Sequence, residues 1–312
     1  MESFLVAVNA VVPFLIYITF GYGVRLSGLV DEAFMNKLNS MIFKVFFPIL
    51  MFDNLYKIET GFSLNPKMVG MGVSGLLLLE LLLVLIVPRI VKGNPQRSVI
   101  IQAIYRSNFV LFGIPLTTSL YGAEGAVLAS MMIAIVVPIY NVTAVIILEM
   151  FNGGRIRPGA LLKNVCTNPL ILGAGTGLVF FCLGIRLPEC VAKPVSQFAN
   201  LTTPLALFVL GGTMHFSAIR ANARYLVPPI IIKLVLLPAL VLALASAIGL
   251  SSLERFILFT MFATPIATSS YAMAQNMGGD GELAGEFVVL STAASVFTIF
   301  LWVFFLTHFG YV

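Results

Sequence analysis

The sequence predicts an all-α polytopic membrane protein of ten transmembrane helices, built as two inverted copies of five. Three observations carry this expectation. Of 312 residues, 59% are hydrophobic and only 10% charged, with a mean hydropathy of +1.03, well outside soluble usage. Polar clusters divide the chain into ten apolar stretches, each close to the ~20 residues that cross a bilayer. Short strings also recur between the first five stretches and the last five.

The spans run over 5–26, 35–56, 67–88, 98–121, 125–149, 167–187, 193–215, 225–249, 253–277 and 283–309. No stretch remains for a soluble domain. The first run is expected to stay as a membrane helix, because its first basic residue, Arg25, follows the apolar run where a signal peptide needs one before it. Basic residues then orient the chain. The loops after odd-numbered spans hold ten Lys and Arg, among them Arg89, Lys92, Arg97, Lys163 and Arg224. The opposite side holds five: Lys57, Lys67, Arg186, Lys193 and Arg255. That asymmetry puts the odd loops in the cytoplasm and both termini outside. The net charge of +5 thus follows topology, and no basic patch points to nucleic acid. Cys166, Cys182 and Cys190 form no metal or disulfide pattern.

The recurrent strings are Gly23-Val24-Arg25-Leu26 with Gly184-Ile185-Arg186-Leu187, and Pro48-Ile49-Leu50-Met51-Phe52 with Pro204-Leu205-Ala206-Leu207-Phe208. Their offsets are 161 and 156, so residues 1–150 and 151–312 read as two copies. Five spans are an odd number, so the second copy enters from the opposite side. Secondary transporters built this way bind substrate between the copies on interrupted helices.

Two spans carry the residues of such an interruption. In span 4, Arg106, Asn108, Gly113 and Pro115 stand inside an apolar run; in span 9 stand Thr264, Pro265, Thr268, Ser269, Ser270, Gln275 and Asn276. Proline removes a helix hydrogen bond and glycine loosens the backbone. The freed groups are tolerated only where protein or a wet cavity satisfies them. The blander account, kinked helices whose hydroxyls bond their own backbone, stays open.

Glu80, Arg106 and Lys233 each lie eight residues inside the cytoplasmic end of their span, a depth of about 12 Å. One acid and two bases leave a positive charge for a carboxylate ligand, which arginine grips bidentately. A structural Glu80–Lys233 salt bridge with Arg106 reaching for the interface is the alternative. Asp53 reads as interfacial, and His215 and His308 as wetted span ends.

Other strings carry less. Gly70-x-Gly72-x-x-Gly75 has no preceding strand for a dinucleotide fold. Gly72-Val73-Ser74-Gly75 fits an intramembrane serine protease as a string, without a histidine inside a facing span. Gly173-x-x-x-Gly177 reads as close helix packing. Asn141-Val142-Thr143 and Asn200-Leu201-Thr202 are glycosylation strings buried in spans.

The chain resembles the auxin efflux carrier family. The resemblance rests on Asn108-x-x-x-x-Gly113-Ile114-Pro115-Leu116 followed by Leu120-Tyr121-Gly122, Ala10 to Pro13, Tyr22 to Arg25 and Phe47 to Leu50, together with Asn168-Pro169 and Lys233-x-x-x-x-Pro238. It implies a five-plus-five inverted repeat in which spans 4 and 9 cross, similar to the sodium–proton antiporter and bile-acid symporter architecture. Residues 150–166 join the halves directly, as in bacterial members, where plant carriers have a long hydrophilic loop. Plant members have proline before the crossover asparagine where this chain has Ser107; Ser269 or Ser270 stands for their second crossover proline.

The resemblance and the residues together point to a secondary active transporter of a small organic anion, a mono- or dicarboxylate of the malate or malonate kind, working by alternating access in a bacterial cytoplasmic membrane. Arg106, Asn108, Gly113, Pro115, Thr264, Pro265, Ser269 and Ser270 are the expected substrate residues, with Glu80 and Lys233 as a charge relay. No cofactor or metal is expected beyond a coupling H+ or Na+. The partners are the substrate and membrane lipids, and the architecture admits a homodimer. Spans 1, 2, 6 and 7 would form a scaffold and the rest a moving unit. A sodium-coupled symporter of a neutral or amphipathic solute is the alternative, and an intramembrane serine protease a remote one.

Overall fold

The computed structural model describes residues 2–57, 64–152, 158–214 and 222–311, and all regular structure among them is helical. In chain order the helices are α1 (Glu2–Leu26), α2 (Glu32–Met41), α3 (Phe47–Tyr56), α4 (Pro66–Ile90), α5 (Asn94–Tyr105), α6 (Phe109–Phe151), α7 (Pro158–Thr167), α8 (Pro169–Cys182), α9 (Glu189–Thr213), α10 (Ala223–Ile231), α11 (Leu237–Ala247), α12 (Ser252–Ala263), α13 (Ser269–Asn276) and α14 (Gly281–His308). Helix starts are capped where the sequence supplies a short polar side chain. Asp31 accepts from the N–H of Phe34, Asn65 from Lys67, Asn168 from Leu170 and Asp280 from Leu283, while Ser251 and Glu254 form a reciprocal capping box.

Five stretches among the described residues are long and apolar enough to cross a membrane, and Val12–Leu26 and Pro169–Cys182 are shorter apolar helices. One of the five, Asn94–Phe151, has 58 residues. Straight, it would measure about 87 Å, nearly three times a ~30 Å hydrocarbon core. It is divided twice. Residues 106–108 leave the helix, and Gly122 adopts φ 62° and ψ −145°, a conformation open to glycine alone. A Cβ on Gly125 would stand 2.6 Å from the carbonyl oxygen of Thr117. Eight residues of straight helix would separate these positions by about 12 Å, so the chain doubles back at Gly122.

Two helices widen into a π turn, and proline explains both. Ile42–Phe46 joins α2 to α3 just before Pro48, and Ile232–Leu236 joins α10 to α11 just before Pro238. A proline ring displaces the carbonyl four residues back, and a wider turn accommodates it. Pro238 also lacks the N–H that would bond the carbonyl of Leu234, and the Trp302 indole donates to that oxygen instead, at 2.9 Å.

Helices α1 and α9 pack together, as do α3 and α8. Glycine permits both contacts. A Cβ on Gly21 would overlap the backbone of Phe208, one on Gly211 the backbone of Ile18, and one on Gly173 the backbone of Pro48; one on Gly177 would lie 2.7 Å from the carbonyl oxygen of Phe52. The Gly173/Gly177 pair thus serves close packing, as its spacing predicts. Helix α14 lies against α1, and α12 against α6 and α11.

Substitution of these glycines tests the packing. Alanine normally stabilises a helix over glycine by about 0.5–1 kcal/mol, and a Cβ on Gly23 would meet nothing within 4 Å. Gly23→Ala should leave the melting temperature unchanged or raise it. Gly21→Ala should lower it, because the backbone of Phe208 cannot yield as a side chain would. Equal melting of the two variants in detergent would show that the α1–α9 contact is looser than described.

Candidate functional site

The site is built from two breaks that face each other. The first, Arg106–Asn108, separates α5 from α6; the second, residues 264–268, separates α12 from α13. The backbone N–H of Asn108 donates to the carbonyl oxygen of Pro265 at 2.7 Å, so the interrupted helices meet at their gaps. Gly113 and Pro115 lie inside α6, which continues through them. Pro115 therefore does not mark the break. Gly113 instead makes room for the ring of Phe109, and Pro115 lines an outer cleft.

The groups freed by the breaks find partners on other helices. Ser291 Oγ accepts from the N–H of Ile266 at 3.2 Å, and the Tyr140 hydroxyl donates to the carbonyl of Met261 at 3.2 Å. Lys233 Nζ, fully buried, donates to Ser107 Oγ and, at 3.5 Å, to the carbonyl of Tyr105, the last residue of α5. An ammonium is suited to that place, since helix C-termini carry partial negative charge.

Arg106 is 2% exposed, and its guanidinium ties the two breaks together. It donates to Ser269 Oγ at 2.8 Å, Ser270 Oγ at 3.2 Å, Asn141 Oδ1 at 3.0 Å and Gln102 Oε1 at 3.1 Å, and touches Met273 Sδ at 3.1 Å. Every one of these partners is neutral. Glu80 lies within electrostatic reach but is bonded elsewhere, accepting from Thr143 Oγ1 at 2.8 Å. Nor do Glu80 and Lys233 pair with each other: among the described residues the ion pairs are Arg25–Glu32 and Lys57–Asp53. The hydroxyls of Thr143 and Ser107 take the places an ion pair would have filled. Arg106 Nε, Gln102 Nε2 and Thr264 Oγ1 are buried without a hydrogen-bond partner.

Asn108 stands at the N-cap position of α6, yet its side chain makes no capping bond. It lines a cavity of about 70 Å³ together with Arg106, Tyr140, Asn141, Thr268 and Ser269. That volume equals about two waters. Two wider clefts, of about 460 and 540 Å³, share Asn54 and Val110 with the cavity, so it opens toward the end of the bundle where Asp53 and Lys57 stand. Asp53, expected at the interface, is buried between Lys57 Nζ at 2.7 Å and the Ser196 hydroxyl at 3.1 Å. At the other end, described residues of distant helices touch. Asp280 accepts from Gln96 at 2.7 Å and its N–H bonds the carbonyl of Pro95; the Ser40 hydroxyl bonds Asn276 at 3.0 Å.

Gln102, Tyr140 and Asn141 belong to the site without having been singled out for it. Gln102 lies one turn before Arg106, and Asn141 is an amide in the middle of an apolar helix, a costly placement that signals a partner. Ser74 lies exposed on α4 with no histidine beside it among the described residues, while His308 stacks on Phe304 at the far end of α14. His215 lies outside the described residues.

Sequence comparisons place the chain among membrane transporters. The family model described as membrane transport protein matches residues 6–160 and 154–303. An uncharacterized transporter of Methanocaldococcus jannaschii is 20% identical over 309 residues, spanning 96% of this chain and 98% of that one. Another, from Methanothermobacter thermautotrophicus, is 20% identical over 313 residues with the same shares. Matched along both halves and folded around two interrupted apolar helices, the chain belongs to the membrane transport protein family, that of the auxin efflux carriers.

Proposed function

We propose that the protein is a secondary active transporter that carries a small organic anion, a mono- or dicarboxylate of the malate or malonate class, by alternating access across the cytoplasmic membrane. The observation that carries this reading is Arg106: a buried guanidinium at the meeting of two broken helices, bonded only to neutral groups and adjoining a cavity. A buried charge without an opposite partner is unfavourable, and an anionic substrate supplies that partner. Asn108, with its amide unengaged, adds a donor, and Ser269, Ser270 and Thr264 add hydroxyls. Lys233 balances the helix end behind the site, and Glu80 offsets part of the positive charge.

A ten-span, five-plus-five inverted repeat, with residues 1–150 and 151–312 as its halves, is supported by one recurring offset. Glycines with positive φ at 28 and 122 recur 156 residues later at 184 and 278, and the helix-preceding Gly93 recurs at 249. The same offset relates Pro48 to Pro204 and Asn108 to Thr264. It also exchanges the contact of Gly21 with Phe208 for that of Gly177 with Phe52. Gly184 thereby pairs with Gly28 rather than Gly23. In this reading α1, α2–α3, α8 and α9 form the scaffold, and the remaining spans move. The cleft at the Lys57 end and the closed contacts at the Gln96–Asp280 end then represent one of two access states, open to the outside by the distribution of Lys and Arg. A coupling H+ or Na+ completes the cycle.

Binding and topology test this. In detergent, Asn108→Ala should weaken carboxylate binding by roughly ten- to a hundredfold, the range for a hydrogen bond to a charged group, without loss of monodisperse protein. Arg106→Lys, which keeps the charge and loses the fork, should bind weakly, and Arg106→Gln not at all. Unchanged affinity in Asn108→Ala would exclude the crossing as the site. Proteoliposomes offered labelled malate, malonate and monocarboxylates, with imposed Na+ or H+ gradients, read substrate and coupling together; uptake of neutral solutes alone would reject the anion reading.

Orientation can be read by thiol labelling in intact cells after Cys166, Cys182 and Cys190, all exposed, are replaced by serine. Glu124→Cys should react with a membrane-impermeant reagent and Lys92→Cys should not. The opposite pattern would invert the proposed topology.

A further inference from the structure

A second hollow lies on the flank of the bundle, away from the crossing. Helix α4 turns one stripe toward it, Lys67, Met71, Ser74, Leu78 and Leu82, at helical spacings of three and four. Leu240, Leu244 and Ile248 of α11 and its C-cap form the opposite wall, with Leu258 and Phe262 of α12 behind. The groove encloses about 780 Å³. It is open along its side: Leu78, Leu82, Leu240 and Leu244 remain 45–57% exposed. Gly75 deepens it, since a Cβ there would meet nothing within 4 Å.

Apart from Ser74 midway along α4, the groove is apolar except at one end. From Lys67 to Leu82 it follows α4 for about 22 Å, longer than the ~15 Å of one hydrocarbon leaflet. Among the described residues, Lys67 is the one charged residue lining the groove; it is exposed and has no ion pair there. Glu254 at the start of α12 forms no ion pair with it, its carboxylate accepting from the N–H of Ser251 at 2.8 Å. An ammonium at the membrane-surface end of an acyl-length apolar trough matches an amphiphile with an anionic head. We propose that this groove binds one anionic phospholipid, its phosphate at Lys67 and an acyl chain along α4 and α11. The lipid also reaches Phe262, next to the residue where α12 ends at the second break.

Native mass spectrometry of the detergent-purified protein, incubated with phosphatidylglycerol or with phosphatidylethanolamine of the same acyl chains, tests this. One lysine near a membrane surface gives about a fivefold preference for the anionic lipid. The parent protein should retain one phosphatidylglycerol with that preference, Lys67→Glu should lose the preference, and Gly75→Trp should lose retention of both lipids. Lys44→Glu, at another exposed lysine, should behave as the parent. Leu82→Trp fills the same trough from its open side and replaces Gly75→Trp if that variant does not fold. Equal retention of the two lipids by the parent, an intact preference in Lys67→Glu, or undiminished retention in the folded tryptophan variant would each overturn the proposal.

Discussion

Breaking a helix inside an apolar span exposes backbone N–H and C=O groups that hydrocarbon cannot satisfy, and the cost of leaving them unpaired governs this structure. Each break resolves the problem by using the other. Asn108 N–H bonds the carbonyl of Pro265; Lys233, Tyr140 and Ser291 meet the carbonyl of Tyr105, the carbonyl of Met261 and the N–H of Ile266. These bonds need the helices in register, so one local interruption organises the middle of the molecule. They also explain why polar residues lie buried within otherwise apolar segments.

The same arrangement leaves the centre electrically unbalanced. Arg106 holds Ser269 and Ser270 at the start of α13 and Asn141 on α6, but among the described residues receives no direct contact from a carboxylate. Glu80 is near enough to be felt and is directed to Thr143 instead. A guanidinium surrounded by neutral acceptors is a structural fastener, and the proposed transport cycle also uses it as the anion receptor. A substrate carboxylate would compete for the same fork that joins the breaks, which links occupancy of the cavity to the relation between α5, α6 and α13.

Glycine distributes rigidity elsewhere. The α1–α9 and α3–α8 pairs touch backbone to backbone at Gly21, Gly211, Gly173 and Gly177, leaving no side-chain layer that could shear. Around the crossing, by contrast, cavities separate α3 and α9 from the start of α6. Tight pairs beside a hollowed boundary are what a fixed scaffold and a displaceable unit require.

The sequence by itself determined the membrane class, the helical architecture and the family. Hydropathy and chain-wide motifs depend on composition and spacing, which are local. The prolines and glycines also located the regions of interest, and Gly173/Gly177 was legible as packing because small residues at that spacing have few other uses. The choice of break was decided only in three dimensions. Gly113 and Pro115 carry the stronger helix-breaking chemistry, yet α6 runs through them, while Arg106–Asn108 opens because Pro265, Lys233 and the hydroxyls of α13 lie opposite. Likewise Glu80 and Lys233, equal in depth along the sequence, bond different hydroxyls, because depth specifies position along a helix and says nothing of direction around it. Asn141 and Gln102 joined the site for the same reason: their partner, Arg106, is defined by the meeting of helices distant in sequence.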